Sequence, residues 1–506
     1  MEMQNFAPIM FGGLVLTMLI GFPVAFSLAF LGLACGLFAI SMDWFPVSFM
    51  SNLPLNIFGI LSNDLLLAIP FFTFMGAILE KCGLAEDMLD SMGQLFGTVR
   101  GGLGYSVIIV GFILGAITGT VAGQVIAMAL ISLPVMIRYG YNMRYATGVL
   151  AASGTITQLV PPSLVLVVMA DQLGRSVGDM YKGAWGPSML QVGIFALYTF
   201  GLGLIKPDHV PGIPKEDRTA DGFHLWMKCL RGIIPSAFLI FAVLGSMGGL
   251  PGINTAIATP TEAGAMGCVG ALILAAIHNR LDKALIWEAM HSTMRLTAMV
   301  VFILIGSRVF SMVFQGVDGA KWVEHLLTGL PGGQVGFLVV VNIFIFFLAF
   351  FLDFFEIAFI ILPMLGPVAE KMGIDMVWFG VLLCVNMQTS FMHPPFGFAL
   401  FYLRGIADTL FKEGRIEKPV KSNDIYMGAI PWVIMQLILV VIVIFVPETV
   451  TMFLDKEEKV DLDKVVIEMP TEQETPEAEL KLDSAKPSTA ESAAEEQKRM
   501  EDLFKK

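Results

Sequence analysis

The chain has 506 residues, 56% of them hydrophobic and 15% charged, with mean hydropathy +0.75 and a formal net charge of −12. A soluble globular protein carries about 25% charged residues, so the composition excludes a soluble fold and any nucleic-acid-binding surface. It points instead to an all-α polytopic membrane protein.

The first apolar runs are Phe6–Ile20 and Pro23–Ile40, with no Lys or Arg before the first, which reads as a retained helix rather than a signal peptide. Phe45–Leu61 is shorter. Ser62–Gly83 carries Pro70 in its middle and is too short to cross and return as full helices. It is expected to form a re-entrant hairpin (62–83) with its tip near Ala68–Pro70. Leu84–Val99 places acids on one face and apolar residues on the other, as an interfacial helix does. A glycine-rich span, Gly101–Thr118, leads into the loop TGTVAGQ (Thr118–Gln124), a span to Met136 and a basic turn with Arg138 and Arg144. The next span, 145–172, is broken by SGTITQLVPPS (Ser153–Ser163), and Ser188–Ile205 closes a first half of residues 1–205.

Lys206–Arg231, with Pro207, Pro211 and Pro214, is the expected boundary. The second half, 232–447, opens with a span and then GINTAIATPTEAGAMGCVG (Gly252–Gly270). Pro260 has no amide hydrogen and disfavours helical geometry at Thr259. Broken backbone at membrane depth is tolerated only in protein or beside a wet cavity, so a second hairpin is expected over 250–277. An amphipathic stretch (Asn279–Met290), an apolar run (Met294–Phe314) and Gly336–Phe351 lead to FLDFFEIAF (Phe351–Phe359). A span over 377–403 is broken by NMQTSFMHPPFG (Asn386–Gly397), and Ala429–Val446 is the last span. The segment 448–506 carries 17 Asp and Glu against 9 Lys and Arg, with few aromatics. It reads as an acidic disordered tail.

Two stretches align without gaps at an offset of 233 residues. Pro134 meets Pro367, Gly140 meets Gly373, and Pro161-Pro162 meets Pro394-Pro395. In that register Thr120 meets Asp353, Ser153 meets Asn386, Thr155 meets Gln388 and Thr157 meets Ser390. This is an internal duplication, and the charges of the two turns suggest that its halves are inverted. Pro70 matches Pro260 only at an offset of 190, which implies about 43 extra residues in the second half, with Met294–Phe314 among them.

Interrupted helices repeated in two halves mark the binding site of a secondary transporter. Hydroxyls and free carbonyls at such breaks suit Na⁺, and helix starts beyond them suit an anion. Ser153, Gly154, Thr155, Thr157, Pro161, Thr259, Pro260, Asn386, Ser390 and Pro394 are the candidate Na⁺-binding positions. Asp353, Glu262, Thr261, Gln388, His393 and Arg308 are the candidate substrate contacts. Each has a plainer alternative. Glu262 and Thr259 suit a helix cap, the polar clusters suit helix–helix hydrogen bonds, and Arg308 suits an ion pair. Glu356, one turn beyond Asp353, is a second carboxylate in an apolar segment, where such groups are costly unless used. The cysteines are scattered, and no metal-ligand spacing or nucleotide loop occurs. No cofactor is expected beyond Na⁺ as coupling ion.

The segments IATPTEAGAMG, AASGTITQLVPPS, FFLDFFEIAFIILPMLGPVAEKMGID and HPPFGFALFYLRG together resemble the large membrane subunit of tripartite ATP-independent periplasmic (TRAP) transporters over about residues 1–447. The resemblance implies an inverted-repeat elevator fold with two re-entrant hairpins and two discontinuous helices. It implies Na⁺-coupled import of an organic acid across the bacterial inner membrane. The implied partners are a small four-helix membrane subunit and a periplasmic substrate-binding protein. It would place one Na⁺ at Ser153–Thr157 with the first hairpin tip, a second at Asn386–Ser390 with Thr259–Thr261, and the substrate by Asp353. The loop TGTVAGQ, the break TSFMHPP and the bulky Phe354-Phe355-Glu356 depart from the common form and suggest a sub-branch for mannitol, chloroaromatic or 2-oxo acids. Two other readings stand beside this one: a stand-alone carrier without a binding protein, and an intramembrane enzyme using Asp353 and Glu262 as a carboxylate pair.

Overall fold

The computed structural model describes residues 6–118, 120–214, 222–253, 255–350, 352–395 and 397–454. Among them every regular element is a helix: α1 (Ala7–Ile20), α2 (Val24–Ser41), α3 (Val47–Met50), α4 (Leu53–Leu61), α5 (Asp64–Lys81), α6 (Leu84–Phe96), α7 (Gly102–Thr118), α8 (Val121–Arg138), α9 (Met143–Thr155), α10 (Leu164–Leu173) and α11 (Val177–Ile205). Then come α12 (Gly222–Ser246), α13 (Pro260–Ile277), α14 (Lys283–Gly316), α15 (Gly319–Thr328), α16 (Gly333–Leu348), α17 (Phe354–Glu356), α18 (Leu362–Lys371), α19 (Met376–Met387), α20 (Phe398–Lys412), α21 (Ser422–Phe445) and α22 (Glu448–Thr451). A π-helical turn, Ile357–Ile361, joins α17 to α18. Six of these helices are long and apolar enough to cross a bilayer, and two bent pairs raise the number to eight. The chain is a multi-pass membrane protein.

The duplication is visible helix by helix. Shifted by 233 residues, α8 falls on 354–371, α9 on α19, and the turn Ile156–Gln158 on Gln388–Phe391. Asn142 and Asp375 cap the two equivalent helices with their side chains. Gly140 (φ +76°) and Gly373 (φ +72°) make the same left-handed turn, which a side chain would strain. Both double-proline bonds are cis.

The same shift carries α6 onto α15 and α7 onto α16, and the pair α4–α5 onto α14. The inter-helix contacts agree. α2 packs along α14 and α13 packs along α5, as a repeat requires if α13 is the counterpart of α2. Glycines set these crossings, as small residues do in membrane helices. A Cβ on Gly32 would lie 2.9 Å from the Phe310 nitrogen, and one on Gly264 would lie 2.9 Å from Phe71 Cβ. The expected offset of 190 and its insertion are therefore corrected: Met294–Phe314 is the second half's version of α5. Asn279–Met290 is not a separate amphipathic helix either, since α14 runs unbroken through 34 residues.

The hairpins also lie elsewhere than expected. Ser62–Gly83 is not a hairpin with a tip at Ala68–Pro70, because α5 runs straight through Pro70. The actual interruption is at Ser62 and Asn63, where Asn63 caps α5 and the chain bends by 45° rather than doubling back. The doubling back occurs between α7 and α8: Leu103 N–H, at the start of α7, donates to Tyr141 Oη, beyond the end of α8. It recurs between α16 and α17–α18, where Gln334 Nε2, at the start of α16, donates to the Met372 carbonyl (2.8 Å). The tips of these antiparallel hairpins are the residues before Val121 and before Phe354. The second half opens with α12 at Gly222 rather than at 232. The folded body also continues past 448, since α22 buries Val450 completely. The rest of the expected tail, 455–506, lies outside the described residues.

Candidate functional site

Helices that begin at a break begin with unpaired N–H groups. Four of them begin at one place. A cavity of about 310 Å³ is lined by Thr120, Val121 and Ala122 at the start of α8, Leu164 and Val165 at the start of α10, Asp353, Phe354 and Phe355 at the start of α17, and Phe398 at the start of α20. Gln158, Phe391, Tyr402, Leu296 and Met299 complete the wall. Equivalent positions face each other across it: Thr120 and Asp353, Gln158 and Phe391, Val165 and Phe398. The cavity thus lies where the two halves meet, at the tips of both hairpins and beside both broken helices.

Its electrostatics follow from the backbone. Each helix start carries roughly half a positive charge, and an uncapped start is an anion site. Thr120 caps α8, and Gly397 caps α20, without a side-chain hydrogen bond, so those first turns remain open. Among the described residues the lining contains no Lys, Arg or His, and Asp353 is the one carboxylate on the wall. Its Oδ1 accepts from the Glu356 amide (3.1 Å), while Glu356 Oε2 accepts from the Asp353 amide (3.0 Å). This reciprocal box fixes the hairpin tip, and the π-turn directly behind it is a device found at functional sites. Gln158 is 4% exposed and its Oε1 has no hydrogen-bond partner in the protein. The remaining surface is aliphatic and aromatic.

The expected site residues divide sharply. Asp353 lies on the cavity. Thr259, Pro260, Thr261 and Glu262 do not: they open α13, the counterpart of α2. There the Thr259 amide donates to Glu262 Oε2 (2.8 Å) and the Glu262 amide donates to Thr259 Oγ1 (3.3 Å). Thr259 and Glu262 are exposed, and the capping alternative describes them. Arg308 faces a separate polar pocket with Asn63, Asp171, Ser307, Ser311 and Gln315. His393 is buried against Phe350 and Phe346, with ring centroids 4.2 and 4.4 Å away.

The two breaks are packed differently from a simple ion cage. At the first, the Ser153 carbonyl and Thr157 Oγ1 are both held by Gln124, and the Gly154 carbonyl accepts from Thr157. Thr155 Oγ1 accepts from Gln436 Nε2 on α21 (3.0 Å). At the second, Gln388 Oε1 accepts from Gln191 Nε2 on α11 (2.7 Å), and Ser390 Oγ donates to the Met387 carbonyl. Asn386 Nδ2 donates to the Asn342 carbonyl (2.8 Å). Pro161 and Pro394 are the first members of the cis pairs. Thr120, Gln158, Gln124 and Asn342 were not singled out as site residues. The repeat register, which sets Thr120 against Asp353, held the signal for the first; Gln124 and Asn342 meet their partners only through the fold.

Residues 11–449 match the family model described as "Tripartite ATP-independent periplasmic transporter, DctM component". The C4-dicarboxylate TRAP transporter large permease protein DctM of Rhodobacter capsulatus is 29% identical over 458 residues, covering 87% of this chain and 97% of that one. The 2,3-diketo-L-gulonate TRAP transporter large permease protein YiaN of Escherichia coli is 26% identical over 432 residues, covering 85% and 95%. The isethionate TRAP transporter permease protein DctMQ of Oleidesulfovibrio alaskensis is 25% identical over 442 residues, covering 87% of this chain and 65% of that longer one. Among solved structures, the YdaH transporter of Alcanivorax borkumensis, reported with an unusual topology, superposes with a TM-score of 0.52 at 15% identity, covering 78% of this chain and 87% of that one. At that identity the likeness is one of fold.

Proposed function

This chain belongs to the DctM family, the large permease subunits of tripartite ATP-independent periplasmic transporters, and from that premise we propose that it imports an organic acid anion with a substantially apolar body, driven by Na⁺. Membership makes it a membrane subunit for secondary transport of organic acids alongside a binding protein. The observation that carries the finer reading is the convergence of four helix starts on one cavity that has no cationic side chain among the described residues. A carboxylate is received by the open N–H groups of α8, while Phe354, Phe355, Phe391 and Phe398 take up the rest of the molecule. Its volume sits at the lower end of small-molecule sites, which favours a compact acid such as a 2-oxo or aromatic acid. Asp353 repels a bare carboxylate, so it serves a hydroxyl or amine of the substrate or a neighbouring Na⁺.

Alternating access would move the hairpins and broken helices as a body against α2, α5, α13 and α14, in the manner of an elevator. A small membrane subunit and a periplasmic binding protein complete the machine in the bacterial inner membrane. The fused relative DctMQ supports a small partner. The test is uptake by proteoliposomes holding this chain with its small subunit, supplied with the binding protein and a labelled acid, under a Na⁺ gradient or with K⁺ in its place. Uptake that requires both Na⁺ and the binding protein supports the reading. Uptake without the binding protein makes the chain a stand-alone carrier, and cation-indifferent uptake removes the coupling.

A further inference from the structure

The two hairpins carry the negative charge at their helix starts differently. In the second half it belongs to the hairpin itself: Glu356 is the third residue of α17, and its Oε2 accepts from the Asp353 amide (3.0 Å). The residue in register with Glu356 is Gly123, the third residue of α8. Gly123 has no side chain, yet the place of one is taken. A Cβ on Gly123 would sit 2.5 Å from Cδ of Glu80, inside the carboxylate of a residue on α5. The third position of each helix start thus holds a carboxylate, supplied by the helix itself in one half and by a neighbouring helix in the other. On α14 the residue in register with Glu80 is Val313, which is apolar and fully buried.

Glu80 is partly buried, and among the described residues no hydrogen bond or ion pair engages its carboxylate. Lys81 beside it is turned to Glu288 on α14 (2.6 Å). A carboxylate in a membrane segment is costly unless it is used. Glu80 faces the first turn of α8, the turn over which the positive end charge of a helix acts. Thr120, Val121 and Ala122 of that same turn line the cavity. One helix start therefore serves two anions, Glu80 from outside the cavity and the substrate from inside it. α5 is part of the body against which the hairpins are proposed to move. Glu80 stays behind when α8 travels, whereas Glu356 travels with α17.

We infer that Glu80 is a tethered stand-in for the substrate's carboxylate: it holds the start of α8 to α5 in the acid-free permease, and the arriving acid takes over its role and frees the hairpin to move. This rests on the import reading above and adds the regulation of its site. The experiment uses the full complex in nanodiscs, in a background without the native cysteines, with spin labels at the exposed positions Ser41 on α2 and Arg138 on α8. Label distances are recorded while 2-oxobutanoate or benzoate is titrated in Na⁺, and uptake of the same labelled acids is measured in proteoliposomes. Wild type should show one distance without acid and a second with it. Glu80→Gln should populate the second distance without acid and lower the half-saturating acid concentration by about two- to thirtyfold, the range for a charge at a helix start. Gly123→Ala should do the same, because its methyl pushes the carboxylate off α8. A merely structural Gly123 would instead allow Ala to stabilise the helix and move neither readout. The exchange Glu80→Ala with Gly123→Glu gives α8 a carboxylate that travels with it. Its half-saturating concentration should return to the wild-type value or above, with the second distance still populated without acid. Wild-type distances and half-saturation in Glu80→Gln or in Gly123→Ala, or an exchange variant that keeps only the acid-free distance, overturns the inference and leaves import intact. A wild type that neither shifts its distance nor takes up either acid removes those acids from the import reading, while the acid-free distances of the variants still decide the tether.

Discussion

Replacing Asp353 by Asn and by Ala separates its two jobs. As the N-cap of α17, Asp353 accepts the Glu356 amide at 3.1 Å and donates its own amide to Glu356 Oε2. Asn caps a helix as well as Asp does, whereas Ala forfeits about 1 kcal/mol. Asp353→Asn should therefore keep the melting temperature of the complex, and Asp353→Ala should lower it. Both remove the charge from the cavity wall. If the carboxylate meets the substrate or a cation, either change loses a charged hydrogen bond of about 1.5–3 kcal/mol, which is roughly a ten- to hundredfold fall in uptake efficiency. The assay pairs thermal unfolding with initial uptake rates in proteoliposomes. Wild-type uptake by a stable Asp353→Asn would refute the placement of the site. A fall in uptake confined to the Ala variant would assign Asp353 to capping alone.

Glu262→Gln tests the opposite case, since its box caps an exposed helix start outside the cavity lining; uptake should match wild type, and a loss of uptake in a complex of normal stability would return Glu262 to the site. Phe398→Val installs the residue that stands at the equivalent position of the other half, Val165. It should widen the cavity and shift competition toward bulkier acids, with stability changed by less than about 0.5 kcal/mol because Phe398 is half exposed; an unchanged competition profile would remove Phe398 from the wall. Gly148→Ala places a Cβ 2.3 Å from the Gly428 carbonyl oxygen and 2.5 Å from Trp432 Nε1, where α9 crosses α21. Overpacking of this kind costs about 1–3 kcal/mol, so the complex should melt earlier, and an unshifted melting curve would contradict the tight crossing.

The sequence was most legible where backbone chemistry leaves fixed marks. The matched prolines and glycines at an offset of 233 located both broken helices and set Thr120 opposite Asp353 before any coordinates. Proline also misled. Pro70 drew the first hairpin to itself, yet a proline inside a membrane helix removes one hydrogen bond and can be absorbed by neighbouring groups, and α5 passes through it. The true tips, at Thr120 and at Leu352-Asp353, contain no proline. Thr259-Pro260-Thr261-Glu262 is a strong helix-start signal, and a helix start is what it makes; nothing local says on which side of the bundle that start will fall. Gln124, Asn342 and Gln158 act through partners between 13 and 44 residues away or through a cavity formed by both halves. Their roles depend on which helices meet, and that is settled by packing rather than by periodicity.

The glutamines that brace the two breaks are exchanged between the halves. Gln191 of the first half holds Gln388 of the second, and Gln436 of the second holds Thr155 of the first. For a chain made from one end to the other, this sets a schedule. Thr155 is synthesised early, and its brace arrives 281 residues later, in the last long helix. The first break must therefore wait in the membrane with its hydroxyl bonded only to the Ala152 carbonyl of its own helix until that helix inserts. A nascent chain halted before Gln436 has made both double prolines and every helix start around the cavity, and still lacks half of the lock that joins one repeat to the other.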